Sequence, residues 1–276
     1  MQLIDDYPEG WLDDTRQLIG GLRQSAPEGH VHLLVDAAFR HEHVLPWLRR
    51  HLPPKRWHAV YADMPGPDGA ALAISPMVIE PLAPEHWEAL FELARGLPML
   101  TLIATPESVT GTAQRLARFS IVTVQDTAYG LRLADTRLLP ALLALFSGEQ
   151  HGAFMGPGTW HCLGRDARWQ PLPPAHEPAA PAERVTFDDQ QTEALLRINE
   201  VDALIEILRD SAPALFGVFD SPSQRHEWLS TVLAQAPESV RDHARRLDYC
   251  RRMAGRQGLL PAATADETKP DTDPSA

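Results

Sequence analysis

The chain has 276 residues and a formal net charge of −12 at pH 7, from 25 Lys and Arg against 37 Asp and Glu. That balance argues against a general nucleic-acid binder, which carries a basic footprint, and against electrostatic docking on anionic membranes. A hydrophobic share of 44% and a charged share of 22% fit an ordinary globular protein, long enough for one large or two modest domains with cores.

From the amino terminus, Leu12, Leu18, Ile19 and Leu22 recur at helical spacing. Residues 30–36 form a short apolar run ending in Asp36 and read as a buried strand. A helix is expected over residues 43–52, with Pro46 in its first turn, and a strand over 57–63. Pro and Gly mark residues 63–69 as a loop. Residues 74–82 are extended. Pro84 and Glu85 open a helix that sets Trp87, Leu90, Phe91 and Ala94 on one face. A strong strand over 98–106 and a helix over 106–119 follow. Residues 120–135 read as two strands joined by a polar turn. A helix then spans Pro140 to Phe146, and residues 158–163 form a last strand. Strands alternating with helices, plus one hairpin, imply an α/β domain over 1–172: a mixed sheet with packed helices.

Residues 173–184 are a Pro/Ala-rich linker. Beyond it the pattern is helical throughout, and residues 185–258 are expected to form a small all-helical lobe. Leu195, Ile198, Val201, Leu204, Ile205 and Leu208 make one stripe. Ser221 and Pro222 signal an N-cap and first helical residue. A third helix ends at Gly255. Residues 259–276, rich in Pro, Thr, Asp and Ala, are expected to be disordered.

The acidic start has no basic stretch followed by an apolar core, so no secretory signal is expected. The most apolar run, residues 138–146, falls far short of the roughly 20 residues of a spanning helix. Cys162 and Cys250 sit in no paired motif and read as buried thiols of a reducing compartment. A cytoplasmic protein is expected.

Motifs with chemistry are sparse. His30 and His32 share one face of a strand, with His41 and His43 nearby. The pair opens its strand, the wrong end for an α/β active site, and His41-Glu42-His43 lacks the spacing that puts two imidazoles on one helical face. No nucleophile elbow, phosphate loop or dinucleotide fingerprint occurs, so no catalytic residue, metal or cofactor is expected. Gly156-Pro157-Gly158 reads as a tight turn between helix and strand. The arginines of the last helix, Arg241, Arg245, Arg246, Arg251, Arg252 and Arg256, make a solvated face or a docking face for an acidic partner.

The remaining constellation lies between two apolar runs. In the expected strand 129–135, Leu131 and Leu133 share a face and Arg132 points to the other. Asp135 ends the strand, caps the turn and is placed to pair with Arg132 or Arg137. The expected role is a buried or half-buried ion pair holding strand to helix.

Asp36 and Ala37 after a buried strand, then Arg132, Asp135, Arg137 and Leu138, then Gln150, Gly156, Pro157 and Trp160, together resemble one family. It is the effector-adaptor (chaperone) family of bacterial type VI secretion systems, long described only as a domain of unknown function. The resemblance spans roughly His30 to Trp169. This chain has Leu-Arg-Leu-Ala-Asp-Thr-Arg where the family usually has Phe-Arg-Phe-Tyr-Asp-Pro-Arg. The resemblance implies a non-catalytic cytoplasmic adaptor that binds a toxic secreted effector and helps load it onto a VgrG-type spike protein. Phe154, Met155 and Trp160, and Trp228, Leu229 and Val232 of the helical lobe, are the candidate partner-binding residues. The rival readings are a toxin-neutralising immunity protein and a metal-dependent hydrolase built on His30, His32 or His43.

Overall fold

A computed structural model describes residues 2–26, 28–64, 66, 68–175, 185–240 and 242–260. The expected linker overlaps the undescribed residues 176–184, and Arg241 and residues 261–276 of the expected tail also lie outside the described residues; Leu259 and Leu260, expected in that tail, pack on the helical core.

The chain divides into two compact units, residues 1–200 and 201–276. The first unit opens with α1 (Trp11–Ser25), β1 (His30–Asp36), α2 (Val44–His51), β2 (Trp57–Ala59), α3 (Gly69–Ala73), β3 (Pro76–Ile79), α4 (Pro84–Leu93) and β4 (Leu100–Thr105). It continues through α5 (Val109–Ala117), β5 (Ile121–Val124), β6 (Thr127–Gly130), α6 (Leu139–Leu145), α7 (Gly148–Met155), β7 (Thr159–Leu163), β8 (Trp169–Pro171), β9 (Val185–Thr186) and α8 (Asp189–Arg197). The second unit holds α9 (Glu200–Ser211), which begins at the boundary, then α10 (Pro213–Phe216), α11 (Pro222–Ala234) and α12 (His243–Arg256).

The architecture is α/β with a helical carboxy-terminal unit. Six strands form the main sheet in the order β2-β3-β1-β4-β7-β8, antiparallel at every pairing. A small sheet, β6-β5-β9, supplies the mixed character: β5 pairs antiparallel with β6 and parallel with β9. Both faces of the main sheet are covered. Leu33, Val35, Leu100 and Leu102 pack into one core with Trp11, Leu48, Trp87 and Phe91. Leu34 and Ile103 point the other way, into a second core with Leu116, Phe119, Phe154 and Trp160. Burial on both faces explains why β1 and β4 are continuous apolar runs, a pattern more usual in parallel sheets.

The boundary between units falls later than the sequence pattern places it. The stripe from Leu195 to Leu208 is not one helix. It breaks between Arg197 and Glu200, and its two halves serve different cores. Leu195 and Ile198 pack on the second core of the first unit, whereas Leu204 and Leu208 lie in the core of the helical unit with Leu215, Leu229, Val232 and Leu247. Residues 185–200, expected in the helical lobe, therefore belong with the α/β unit: Val185 pairs with Val122, and Phe187 N–H donates to Thr123 O at 3.0 Å. Both Val185 and Phe187 are buried.

Truncation tests this boundary. A chain ending at Glu200 should unfold in one cooperative transition. A chain ending at Arg184 loses Val185, Phe187 and α8 and should be less stable by several kcal/mol, since removing one buried Phe side chain alone costs about 3–5 kcal/mol. Denaturant melts of the two truncations check it.

Candidate functional site

Asp36 and Asp135 are brought together although 99 positions separate them in the sequence. Asp36 ends β1, its side chain buried. Its Oδ1 accepts from Ala38 N–H at 3.1 Å, capping the short 3-10 turn Ala37–Arg40. Its Oδ2 accepts from Arg132 at 3.1 Å. The same guanidinium reaches Asp135 Oδ2 at 3.4 Å. Arg137 grips Asp135 from the other side with two bonds, Nε to Oδ1 at 3.1 Å and Nη2 to Oδ2 at 2.8 Å, the strong fork geometry of an arginine–carboxylate pair. Both guanidinium groups lie over the Phe39 ring, at 4.6 Å for Arg132 and 5.7 Å for Arg137. The Asp135 side chain is 0% exposed, Arg137 13% and Arg132 46%.

The strand expected over 129–135 ends at Gly130. Leu131 and Leu133 are buried and Arg132 points outward, so a turn reproduces the alternation of a strand. Asp135 closes that turn by accepting from Arg137 N–H at 3.1 Å, and its carbonyl accepts from Leu138 and Leu139 N–H, both at 3.0 Å, at the start of α6. It pairs with both arginines rather than one.

Burial raises the Asp36 pKa above the usual carboxylate value; Arg132 opposes the shift and the Asp135 charge reinforces it. Tyr61 is raised as well, first by burial and then by the Asp36 charge.

Gly156 and Pro157 stand at a second cluster, which also contains two residues that sequence reasoning missed. Arg115 of α5 is buried and makes an ion pair with Glu107 at 2.6 Å. It also donates to Phe154 O and lies 5.8 Å from the Trp160 ring centre. Gly156 caps α7 at φ 60°, and a Cβ there would sit 2.5 Å from Arg115 Nε. Pro157 O accepts from Thr105 Oγ1 at 2.7 Å. A Cβ on Gly158 would meet Ala104 O at 2.5 Å. The turn thus seats α7 and β7 against the end of β4. A charged residue on the apolar face of a helix, between Thr112 and Leu116, was the signal for Arg115.

Gln150 lies at neither cluster. It forms a capping box with Ser147, donates to Thr186 O at 2.9 Å and accepts from Gln191 at 2.7 Å. Gln191 forms its own capping box with Asp188, so the amino ends of α7 and α8 are locked through two glutamines.

Five of the six candidate partner residues need correction. Phe154, Met155 and Trp160 are 0%, 1% and 0% exposed; they fill the second core, and Trp160 Nε1 donates to Met155 O at 3.0 Å. Leu229 and Val232 are buried in the core of the helical unit. A side chain enclosed by its own core offers no area to a partner. Trp228 is partly exposed, packs 5.3 Å from Phe219 and donates to Gln257 at 2.7 Å.

His30 and His32 do share a face, with rings stacked at 5.4 Å. The parallel-sheet rule about strand ends does not apply to an antiparallel sheet; the contacts decide their roles. His30 faces Glu80 at 3.2 Å, which also pairs with Arg56 at 2.6 Å. His32 is buried, donates from Nε2 to Glu107 O at 2.9 Å, and has its pKa lowered by burial. Among the described residues no three His, Cys, Asp or Glu are grouped to hold a metal, and no helix is long and apolar enough to cross a membrane. Cys162 and Cys250 are both free and buried, each pushed up to about 11 by burial. In α12, Arg245 pairs with Asp242 at 3.3 Å and Arg251 with Asp248 at 3.7 Å.

Residues 31–153, under half of the chain, match the family described as Domain of unknown function (DUF4123). The match takes in Asp36, Glu107, Arg115, Arg132, Asp135, Arg137 and Gln150. No curated protein and no solved structure matches the chain.

Two predictions follow from the first cluster. Asp135→Ala removes the buried carboxylate that Arg137 grips with two bonds and should cost about 3–5 kcal/mol, the range for breaking a buried pair, read as a lowered denaturation midpoint. Asp36→Asn tests the raised pKa. A carboxyl whose folded pKa exceeds its unfolded one adds stability fully present below the unfolded value and lost as pH rises through the folded value. On acidification from neutrality, the wild type should therefore gain stability relative to Asp36→Asn, with the change falling above the ordinary Asp value of 3.8. The opposite slope in paired melts across that range would contradict the shift.

Proposed function

We propose that the protein is a non-catalytic adaptor of a type VI secretion system: it binds a toxic effector in the cytoplasm and helps load it onto a VgrG-type spike. The observation that carries this reading is the joining of Asp36, Arg132, Asp135 and Arg137, four of the residues on which the resemblance to adaptors rests, into one ion-pair cluster. The match of residues 31–153 to DUF4123 supports the same reading from the side of sequence. In this cluster two carboxylates meet two guanidinium groups, and Asp135 has both oxygens engaged. A carboxylate held in this way organises a fold rather than attacking a substrate. In the helical unit, Trp228 is the candidate contact that keeps exposed surface.

The experiment is a secretion assay in a host carrying the gene beside those of a spike and a toxic effector. Deleting the gene should abolish export of the effector while export of the secretion tube continues, and the full-length chain should co-purify with that effector. Unchanged effector export in the deletion strain would remove the adaptor role.

A further inference from the structure

The outer edge of β6 carries a pattern that fits itself. β6 is the terminal strand of the small sheet, and all four of its residues are exposed. It is joined to β5 by a two-residue turn through Gln125 and Asp126, at φ 44° and 68°. Two left-handed residues in succession make a tight hairpin turn, and the residues flanking such a turn form a hydrogen-bonded pair. From that pair, Val124 and Thr127, the ladder alternates through Ala128 opposite Thr123 and Tyr129 opposite Val122. Thr127 and Tyr129 therefore direct their backbone groups to β5, whereas Ala128 and Gly130 direct theirs outward. Among the described residues no backbone bond reaches those outward groups.

Charge and apolar surface follow the same edge. Asp126 precedes β6 and has no partner among the described residues. Arg132 follows it with 46% of its side chain exposed. Arg132 also holds Asp36 and Asp135, but its half-exposed guanidinium at one end and the carboxylate of Asp126 at the other let the strand complement its own reversed copy. Tyr129, Ile121 and Ile74 are among the exposed large apolar side chains, and Ile121 and Ile74 line an open groove of about 360 Å³ beside Ala128 and Gly130.

We propose that β6 pairs antiparallel with β6 of a second copy of this chain, about a two-fold axis through Tyr129. In this register Ala128 lies opposite Gly130 of the second copy, so the outward groups of both strands close into N–H···O=C bonds. Tyr129 meets its counterpart as a non-hydrogen-bonded pair, the position where facing side chains come closest. Asp126 faces Arg132 of the second copy, and the symmetry repeats the contact. A shift of one residue sets outward groups against inward ones; a shift of two keeps the bonds and separates the charges. Four residues of strand edge bury far less than the ~1,200–2,000 Å² of a standard stable interface, so the dimer is a reversible one. The inference does not depend on the adaptor reading.

Sedimentation of the full-length chain at low salt over rising concentration tests it. The mass should climb from 30.6 kDa toward twice that value. Ala128→Pro removes an outward N–H and leaves the β5 ladder whole; dimerisation should weaken roughly tenfold or more. Asp126→Asn keeps a residue that accepts the left-handed turn and removes only the charge. It should weaken the dimer several-fold at low salt, a difference that disappears at high salt. Circular dichroism identifies a variant that has lost its fold; should Ala128→Pro do so, Asp126→Asn decides alone. A monomer at every concentration overturns the proposal and leaves the edge to a strand of a different protein. A dimer indifferent to the folded variants overturns it too, because it must use another face.

Discussion

Two carboxylates enclosed by apolar surroundings set the terms for the α/β unit. A buried charge is tolerated only where a counter-charge and hydrogen bonds meet it. Asp135 satisfies that demand with Arg132 and Arg137, and Asp36 with Arg132 and the Ala38 amide. The consequence reaches into the backbone. Asp36 N–H donates to Met99 O at 3.0 Å and Thr136 N–H to Pro98 O at 2.9 Å. The end of β1, the approach to β4 and the turn before α6 are therefore fixed at one point, and Phe39 presents its ring to both arginines.

The second cluster does the same at the far end of β4. Thr105 binds the Pro157 carbonyl and the Glu107 amide, and Glu107 holds Arg115, whose guanidinium lies beside Trp160 and under Gly156. The central strand is thus bracketed by two arginine–carboxylate clasps, each with its guanidinium near an aromatic ring. Between them, β4 itself carries only apolar residues and threonine.

The sequence revealed elements more readily than it revealed addresses. The apolar runs at β1 and β4, the Trp87–Phe91 face and the Ser221 cap are local signals, and the structure has each of them. The Asp135 clasp was legible because its partners lie within three residues. The pairing of Arg115 with Glu107 was not, because nothing in an eight-residue separation announces that a loop carboxylate folds back over a helix. Phe154, Met155 and Trp160 misled for a related reason: an aromatic near glycines looks the same in sequence whether the glycines leave it open or let a neighbouring backbone close over it. Here Gly158 lets β4 approach and seals the core. The stripe across residues 195–208 was read as one helix because periodicity carries no mark of which core each half will join.

The order of strands in the main sheet bears on how the chain matures during synthesis. β1 is made early, yet its neighbours β3 and β4 lie about 40 to 70 residues further on, and β4 waits again for β7. Ladders between distant segments form only after the loop-closure entropy has been overcome. As the polypeptide leaves the ribosome, α1 and α2 are at hand to cover the Leu33 and Val35 face of β1, but both of its edges wait for strands made much later. The two aspartates then reach each other only after Asp135 has been made, so the nascent sheet passes through a period with Asp36 still hydrated. An ion pair between segments this far apart in the chain is suited to latch β1 and β4 once they have met, not to seed the sheet.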